Sequence, residues 1–115
     1  MISNVEKTTI ENCINIEIVR GTMYAGGITG LLRDNSTEGD NTRAIVSNCI
    51  NSGLIIGINS TGGIIGRAYK KDKIKNCINT GTVKGNTKVG CIVGENDGGT
   101  VINCHYDKQI CNGEK

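Results

Sequence analysis

The chain has 115 residues, a formal net charge of +2, 17 glycines, no proline and only three aromatic residues, all of them tyrosines. The length fits one domain, and the near-neutral charge excludes a general attraction to nucleic acid or to an acidic membrane. A core without phenylalanine or tryptophan must be filled by aliphatic side chains of similar size, which favours stacked, near-identical layers over an irregular core.

The chain is built on a repeat whose landmarks keep fixed offsets. Each unit opens with an aliphatic residue three positions before a cysteine, at Ile10, Val46, Ile74 and Val101. An asparagine directly precedes that cysteine, in the pairs Asn12-Cys13, Asn48-Cys49, Asn76-Cys77 and Asn103-Cys104. Another aliphatic residue follows six positions after the cysteine, at Val19, Ile55, Val83 and Ile110. A glycine signature closes each full unit, at Gly26-Gly27 to Gly30, Gly62-Gly63 to Gly66 and Gly90-Cys91 to Gly94.

Only the joint after the glycine signature varies in length, and the first unit has about eight extra residues there. These offsets predict one module over 1–115, with repeats of approximately 8–43, 44–72 and 73–99 and a partial repeat of 100–111. Fixed interior spacing with an elastic joint is typical of a solenoid, in which one corner is free to change.

Each unit contains three short β-branched segments separated by glycine or asparagine, without helical periodicity. Glycine and asparagine adopt positive φ at low cost and so mark the corners. We therefore predict an all-β fold: a short right-handed parallel β-helix of about three turns plus a partial fourth. In such a stack Asn12, Asn48, Asn76 and Asn103 would form a ladder of amides along the axis. The pattern leaves open whether the cysteine or the following isoleucine faces the core.

The spacing Val/Ile-x-Asn-Cys-x-Asn-x-Gly-x-Val-x-Gly, followed by Gly-Gly-Ile-x-Gly, resembles the GLUG-motif repeats of bacterial surface proteins. The resemblance covers roughly 8–111 and departs from the motif at Glu17, where later units have Gly53 and Gly81, and at Cys91, which replaces a glycine. It implies a structural or binding module, in adhesin-like chains or beside the catalytic part of some immunoglobulin A proteases. It also implies a cell-surface or secreted address rather than a cytoplasmic one, although 1–4 do not read as a signal peptide.

The six cysteines allow three interpretations. Cys13, Cys49, Cys77 and Cys104 occupy one repeat position, and we expect them to be free thiols that fill space in the core. Disulfides are the second interpretation, with Cys104 and Cys111 the pair least restricted by stacking. Metal binding is the weakest, because zinc sites use local pairs such as Cys-x-x-Cys and this chain has none. We therefore expect neither a metal nor a cofactor.

Two polar segments are candidate binding sites. The basic run from Arg67 to Lys75 offers Arg67, Lys70, Lys71, Lys73 and Lys75 as contacts to an anionic glycan or a phosphate backbone, but polar residues are also expected in a solvated joint. The segment 34–41 has acids at alternate positions, but Ile45 stands where a calcium loop needs a bidentate glutamate. We interpret it as a solvated loop.

Catalysis is not expected, because the acids that the sequence offers share no register and His105 stands alone. The predicted function is a non-catalytic structural or binding module whose partners are a host protein or glycan and neighbouring repeats of a longer chain. The open strand edges of a short stack also predict end-to-end self-association. The alternative is a carbohydrate-active β-helix enzyme, which would need two carboxylates within roughly 10 Å on one face. Binding to ice or a crystal surface is a third reading, carried only by scattered residues such as Ser52 and Thr80.

Overall fold

The computed structural model describes residues 2–5, 9–32, 44–69 and 72–107. This part of the chain contains eighteen short strands and no helix, and every strand pair is parallel. It therefore has no helix that could span a membrane.

The strands fall into successive turns of five. Strand β1 (Ile2–Val5) precedes the first turn, which holds β2 (Thr9–Glu11), β3 (Ile14–Asn15), β4 (Val19–Arg20), β5 (Ala25–Gly26) and β6 (Thr29–Leu32). The second turn holds β7 (Ile45–Ser47), β8 (Ile50–Asn51), β9 (Ile55–Ile56), β10 (Asn59–Gly62) and β11 (Ile65–Tyr69). The third holds β12 (Lys73–Lys75), β13 (Ile78–Asn79), β14 (Val83–Lys84), β15 (Thr87–Gly90) and β16 (Val93–Asp97), and β17 (Thr100–Ile102) and β18 (His105–Tyr106) begin a fourth.

Equivalent strands of successive turns pair in five parallel sheets, in the orders β1-β6-β11-β16, β17-β12-β7-β2, β18-β13-β8-β3, β14-β9-β4 and β15-β10-β5. The register places like residues on like: Ile10 pairs with Val46, Val46 with Ile74, and Ile74 with Val101. The prediction of a short parallel β-helix is thereby confirmed. Its right-handed winding stays a prediction.

The number of strands per turn was predicted wrongly, as three instead of five. Two of the predicted segments are each broken by a corner, the first at the Asn-Cys pair and the last at the Gly-Gly pair. The resulting strands are as short as two residues. A strand of two residues shows no alternation of apolar and polar side chains, so sequence periodicity could not separate it from its neighbour.

The predicted asparagine ladder lies at the wrong position. Asn12, Asn48, Asn76 and Asn103 are exposed, and each has a φ between 53° and 59°. This is the left-handed region, which asparagine tolerates better than most residues because its short polar side chain can bond locally. These residues therefore turn the backbone at a corner instead of bonding along the axis.

The corner also settles which residue faces the core. Cys49 and Cys77 are fully buried, whereas Ile50 and Ile78 are 37% and 39% exposed. The cysteine side therefore faces inward and packs with the main cluster of buried aliphatic residues.

The amide ladder is formed instead by the asparagines three positions later, Asn15, Asn51 and Asn79. The Asn15 amide donates to Asn51 Oδ1 at 2.8 Å, and the Asn51 amide donates to Asn79 Oδ1 at 2.8 Å. Asn51 also donates to the Gly53 carbonyl at 3.0 Å and accepts the Gly53 N–H at 3.2 Å. Its amide thus makes four hydrogen bonds at zero exposure, the full set that an asparagine side chain needs when buried.

The last asparagine of the ladder bonds to the corner that carries the glycine signature of the same turn. The Asn79 amide donates to the Cys91 carbonyl at 2.9 Å. A Cβ added to Gly27 would lie 2.6 Å from Asn51 Oδ1, and one added to Gly63 would overlap the Asn79 amide. At Gly27 and Gly63 a side chain is therefore excluded both by a carbonyl of the next turn and by the asparagine ladder. The buried apolar residues form two separate clusters. The larger one includes Ile64, Ile65 and Ile74, and the smaller one includes Ile55.

The two departures from the GLUG pattern fall at opposite ends of this stack. A Cβ at Gly53 would overlap the carbonyl of Glu17 in the turn below, and a Cβ at Gly63 would overlap the carbonyl of Cys91 in the turn above. Glu17 itself belongs to the first complete turn and is exposed. Cys91 belongs to the third turn. In the partial fourth turn Tyr106 pairs with Asn79 and so takes the register position that the next asparagine would have. Glu17 and Cys91 thus stand at the two corners whose carbonyls the glycines of the middle turn closely approach.

Candidate functional site

A groove with a volume of about 210 Å³ lies where the sheet of β10 and β15 meets the sheet of β11 and β16. We call it the Arg67–Glu95 groove. Its lining residues are Met23, Tyr24, Asn59, Ser60, Arg67, Thr87, Lys88 and Glu95.

Two features of the strands direct polar side chains into the groove. Arg67 of β11 pairs in register with Glu95 of β16, and Tyr69 pairs with Asp97 two positions later on the same face. In β10 and β15, Ser60 and Lys88 have φ of 48° and 55°. Consecutive residues of a regular strand point to opposite faces, so this positive φ lets both Asn59 and Ser60 line the groove.

Glu95 is the centre of the groove's hydrogen bonds. The Ser60 hydroxyl donates to its Oε1 at 2.6 Å, and Lys88 Nζ donates to its Oε2 at 3.0 Å. Arg67 Nη2 approaches the same Oε2 at 3.6 Å. The hydrogen bond from Ser60 lowers the pKa of Glu95 most; burial opposes it, and Lys88 and Arg67 add to the lowering. Glu95 is therefore an ionised carboxylate at neutral pH.

Arg67 links this carboxylate to the rest of the groove. Its Nη2 lies 3.4 Å from Asp97 Oδ2, and its guanidinium carbon lies 4.5 Å from the centre of the Tyr69 ring, the geometry of a cation–π contact. Burial acts to lower the pKa of Arg67, but a hydrogen bond with Tyr24 and the negative charge of Glu95 raise it overall. The guanidinium is therefore a fixed positive charge.

We expect the groove to give the protein a pH-dependent contribution to stability. A carboxyl with a lowered folded-state pKa stabilises the fold above its unfolded pKa, and this contribution is lost as the pH falls through the folded pKa. The free energy of unfolding, measured by urea denaturation between pH 7 and pH 2.5, should therefore decrease below about pH 4.3, the ordinary pKa of glutamate. Glu95→Gln should flatten that part of the profile, and an unchanged profile in this variant would contradict the assignment.

The structure separates the predicted ligand contacts. Arg67 lies in the groove, whereas Lys73 and Lys75 lie on β12 in another sheet, and Lys70 and Lys71 lie outside the described residues. The segment 34–41, interpreted as a solvated loop, also lies outside them.

The repeat pattern did not predict Ser60, Lys88 or Glu95 as site residues, and it placed Asp97 out of register with the acids of the variable joints. Ser60 and Lys88 occupy the same position of successive turns, as do Arg67 and Glu95, but the residue type changes from turn to turn, so the repeat pattern did not mark them. The acids of 93–97 offered the one available signal, since Glu95 and Asp97 are two positions apart and a strand places such residues on one face.

Four of the cysteines follow the favoured interpretation of free thiols, and Cys91 does not. Cys13, Cys49, Cys77 and Cys104 are free thiols, of which Cys49 and Cys77 are buried. Cys104 is therefore not in the disulfide with Cys111 that the second interpretation named, and Cys111 lies outside the described residues. Cys91 is disulfide-bonded, which the repeat pattern did not predict because Cys91 stands at a glycine position.

No protein-family model matches this chain, and neither a curated protein nor a solved structure is found to be similar to it.

Proposed function

We propose that this chain is a non-catalytic repeat module of a cell-surface or secreted, adhesin-like protein and that it binds an uncharged glycan through the Arg67–Glu95 groove. The observation that carries the proposal is the convergence in one groove of the charged groups of Arg67, Lys88 and Glu95, the hydroxyls of Ser60 and Thr87 and the ring of Tyr24. The GLUG resemblance supports the surface address and a bacterial source.

The charges in the groove favour an uncharged ligand. Arg67 and Lys88 are balanced by Glu95 and Asp97, and the four are joined by contacts of 3.0 to 3.6 Å. A charged ligand would have to displace one of these partners, and a phosphate backbone would meet two carboxylates. The same balance therefore argues against nucleic acid as the partner.

The hydrogen-bonding groups favour a polyol. Lys88, whose side chain is 56% exposed, places a donor in the groove with the amide of Asn59 and the hydroxyl of Thr87. Asp97, whose side chain is 60% exposed, offers an acceptor beside Arg67. A sugar hydroxyl both donates and accepts and can therefore bond to either kind of group. Tyr24 adds a ring for the apolar face of a pyranose.

A glycan array followed by calorimetric titration of the glycans that bind should test the proposal. Asp97→Asn and Lys88→Met each remove an exposed group while leaving the Ser60–Glu95 hydrogen bond in place, and each should weaken binding about tenfold, the effect of one hydrogen bond to a charged group. Lys73→Met with Lys75→Met is the matched control on another sheet and should leave the affinity unchanged.

Failure of every uncharged glycan to bind would overturn the proposal. Loss of binding in the lysine control alone would move the site to the basic run and the ligand to an anion. Binding to a host protein without any glycan would favour the other predicted partner class.

A carbohydrate-active enzyme is the second candidate, and one observation favours it. Glu95 Oε2 and Asp97 Oδ2 both contact Arg67 Nη2, so these oxygens are at most about 7 Å apart, inside the upper limit of about 9.5 Å for paired glycosidase carboxylates. A general acid, however, needs a raised pKa, and the pKa of Glu95 is lowered. Release of reducing ends from polysaccharides, abolished by Glu95→Gln, would favour the enzyme.

Association with further turns, whether from a longer chain or a second copy, meets a specific obstacle at the first turn. A turn stacked beneath it in the same register would place a carbonyl where the Cβ of Glu17 lies, because one turn higher a Cβ at Gly53 would overlap the Glu17 carbonyl. We therefore propose that end-to-end contacts, where they form, use a shifted register at this corner.

A further inference from the structure

The four free cysteines form a continuous column, which we call the thiol column: Cys13, Cys49, Cys77 and Cys104. The carbonyls of Cys13, Cys49 and Cys77 accept hydrogen bonds of 2.9 Å from Ile50, Ile78 and His105, the residues after the next cysteine. Each cysteine therefore lies directly above the one before it, at the spacing of hydrogen-bonded strands.

All four side chains point the same way. Each thiol donates to the carbonyl two residues earlier in its own turn, with Sγ–O distances of 3.4, 3.2, 3.4 and 3.4 Å from Cys13 to Cys104. Identical orientation in successive turns means that neighbouring sulfurs are separated by about the strand spacing, roughly 4.8 Å.

This spacing does not suit a disulfide. A disulfide requires an S–S distance of about 2.05 Å and a Cβ–Cβ distance of about 3.8 Å, whereas a parallel column keeps both distances near the strand spacing. Two metal–thiolate bonds of about 2.3 Å placed end to end span about 4.6 Å, which matches the column with almost no movement of the strands.

The number of ligands restricts the metal. No group of three or more His, Cys, Asp or Glu side chains is placed to hold a metal ion within 9–31, 44–69 and 72–107, so a gap in the column offers two thiolates. Structural zinc requires four ligands in a tetrahedron. Soft thiolates with low coordination select the copper(I) class of monovalent ions.

We propose that the thiol column binds two soft monovalent metal ions, one held linearly between Cys13 and Cys49 and one between Cys77 and Cys104. Each ion replaces two thiol protons and leaves a bis-thiolate complex of charge −1, with no change of oxidation state. The pairing follows from access, because Cys13 and Cys104 are half-buried at the two ends whereas Cys49 and Cys77 are fully buried. An ion entering at either end meets one half-buried and one buried thiol.

Silver(I) nitrate in chloride-free buffer under argon is the probe, because silver(I) is a soft ion that does not oxidise thiols. Native mass spectrometry should show two silver ions per folded chain, and ultraviolet absorption should show thiolate-to-metal charge transfer that stops increasing at two equivalents. Absence of binding, or four ions bound one to each thiol, would overturn the proposal. A loss of two hydrogen masses beyond those lost to the Cys91 disulfide would mark a disulfide in the column and would overturn the proposal as well.

Variants assign the two positions. Cys49→Ala should bind one silver ion, and Cys49→Ala with Cys104→Ala should bind none at equal concentration. His105→Asn, next to Cys104 but exposed, is the control and should still bind two. Cys13→Ala and Cys104→Ala change half-buried positions and give a second route, each with the loss of one ion, should Cys49→Ala fail to fold by circular dichroism. If any folded variant in which one column cysteine is replaced by alanine still binds two silver ions, linear pairing of the thiols is excluded.

Discussion

Asn51→Ala should destabilise the protein by about 3 to 5 kcal/mol, the range in which a buried polar network is broken. The substitution removes an amide that makes four hydrogen bonds at zero exposure. It leaves the N–H and carbonyl of Gly53 buried without their partner and ends the ladder between Asn15 and Asn79. Urea denaturation followed by circular dichroism measures the loss.

Asn48→Ala is the control for this prediction, because it changes the asparagine that the repeat motif marks first. Asn48 is exposed and has a φ of 55°, so alanine there costs about 1 kcal/mol of left-handed strain. Asn48→Gly should be neutral within about 0.5 kcal/mol, because glycine adopts this φ freely. Equal losses at Asn48 and Asn51 would show that the ladder does not carry the stability assigned to it.

Gly53→Ala should cost about 3 kcal/mol or more, at the upper end of what overpacking costs, because the obstacle is backbone that cannot rotate away. The added Cβ would overlap the Glu17 carbonyl and lie 2.9 Å from Nδ2 of the Asn15 side chain. The turns would have to separate, and the hydrogen bonds between β3 and β8 would lengthen. Thermal unfolding monitored by circular dichroism should show the loss as a lower midpoint.

Glu17→Ala places the same side chain at the equivalent corner one turn lower and is the matched control. Glu17 is exposed at the first complete turn, so this variant should change the free energy of unfolding by less than about 0.5 kcal/mol, as surface substitutions do. A large loss in Glu17→Ala, or a mild one in Gly53→Ala, would contradict the stacking explanation of why this corner is glycine in the later turns.

Much of the fold could be predicted because each turn of a solenoid needs the same residue types at the same positions. The spacing of Ile10, Val46, Ile74 and Val101 predicted one interior column, and the register pairs these residues directly. The candidate site could not be predicted in this way. The repeat relates Ser60 to Lys88 and Arg67 to Glu95, but Ser60 and Glu95 occupy different positions of the repeat, so no internal comparison predicts their hydrogen bond.

By itself the sequence determined the stacking of the turns, the glycine corners and the inward aliphatic columns, because each depends on residue types that recur at fixed offsets. Only the tertiary structure decided which asparagine builds the ladder and which turns the corner. Asn12 and Asn15 are three positions apart, and both recur in every full unit, so periodicity treats them alike. Their roles differ because backbone torsion directs one side chain to solvent and the other to the interior, where the amide forms its four hydrogen bonds with its own turn and with the turns above and below.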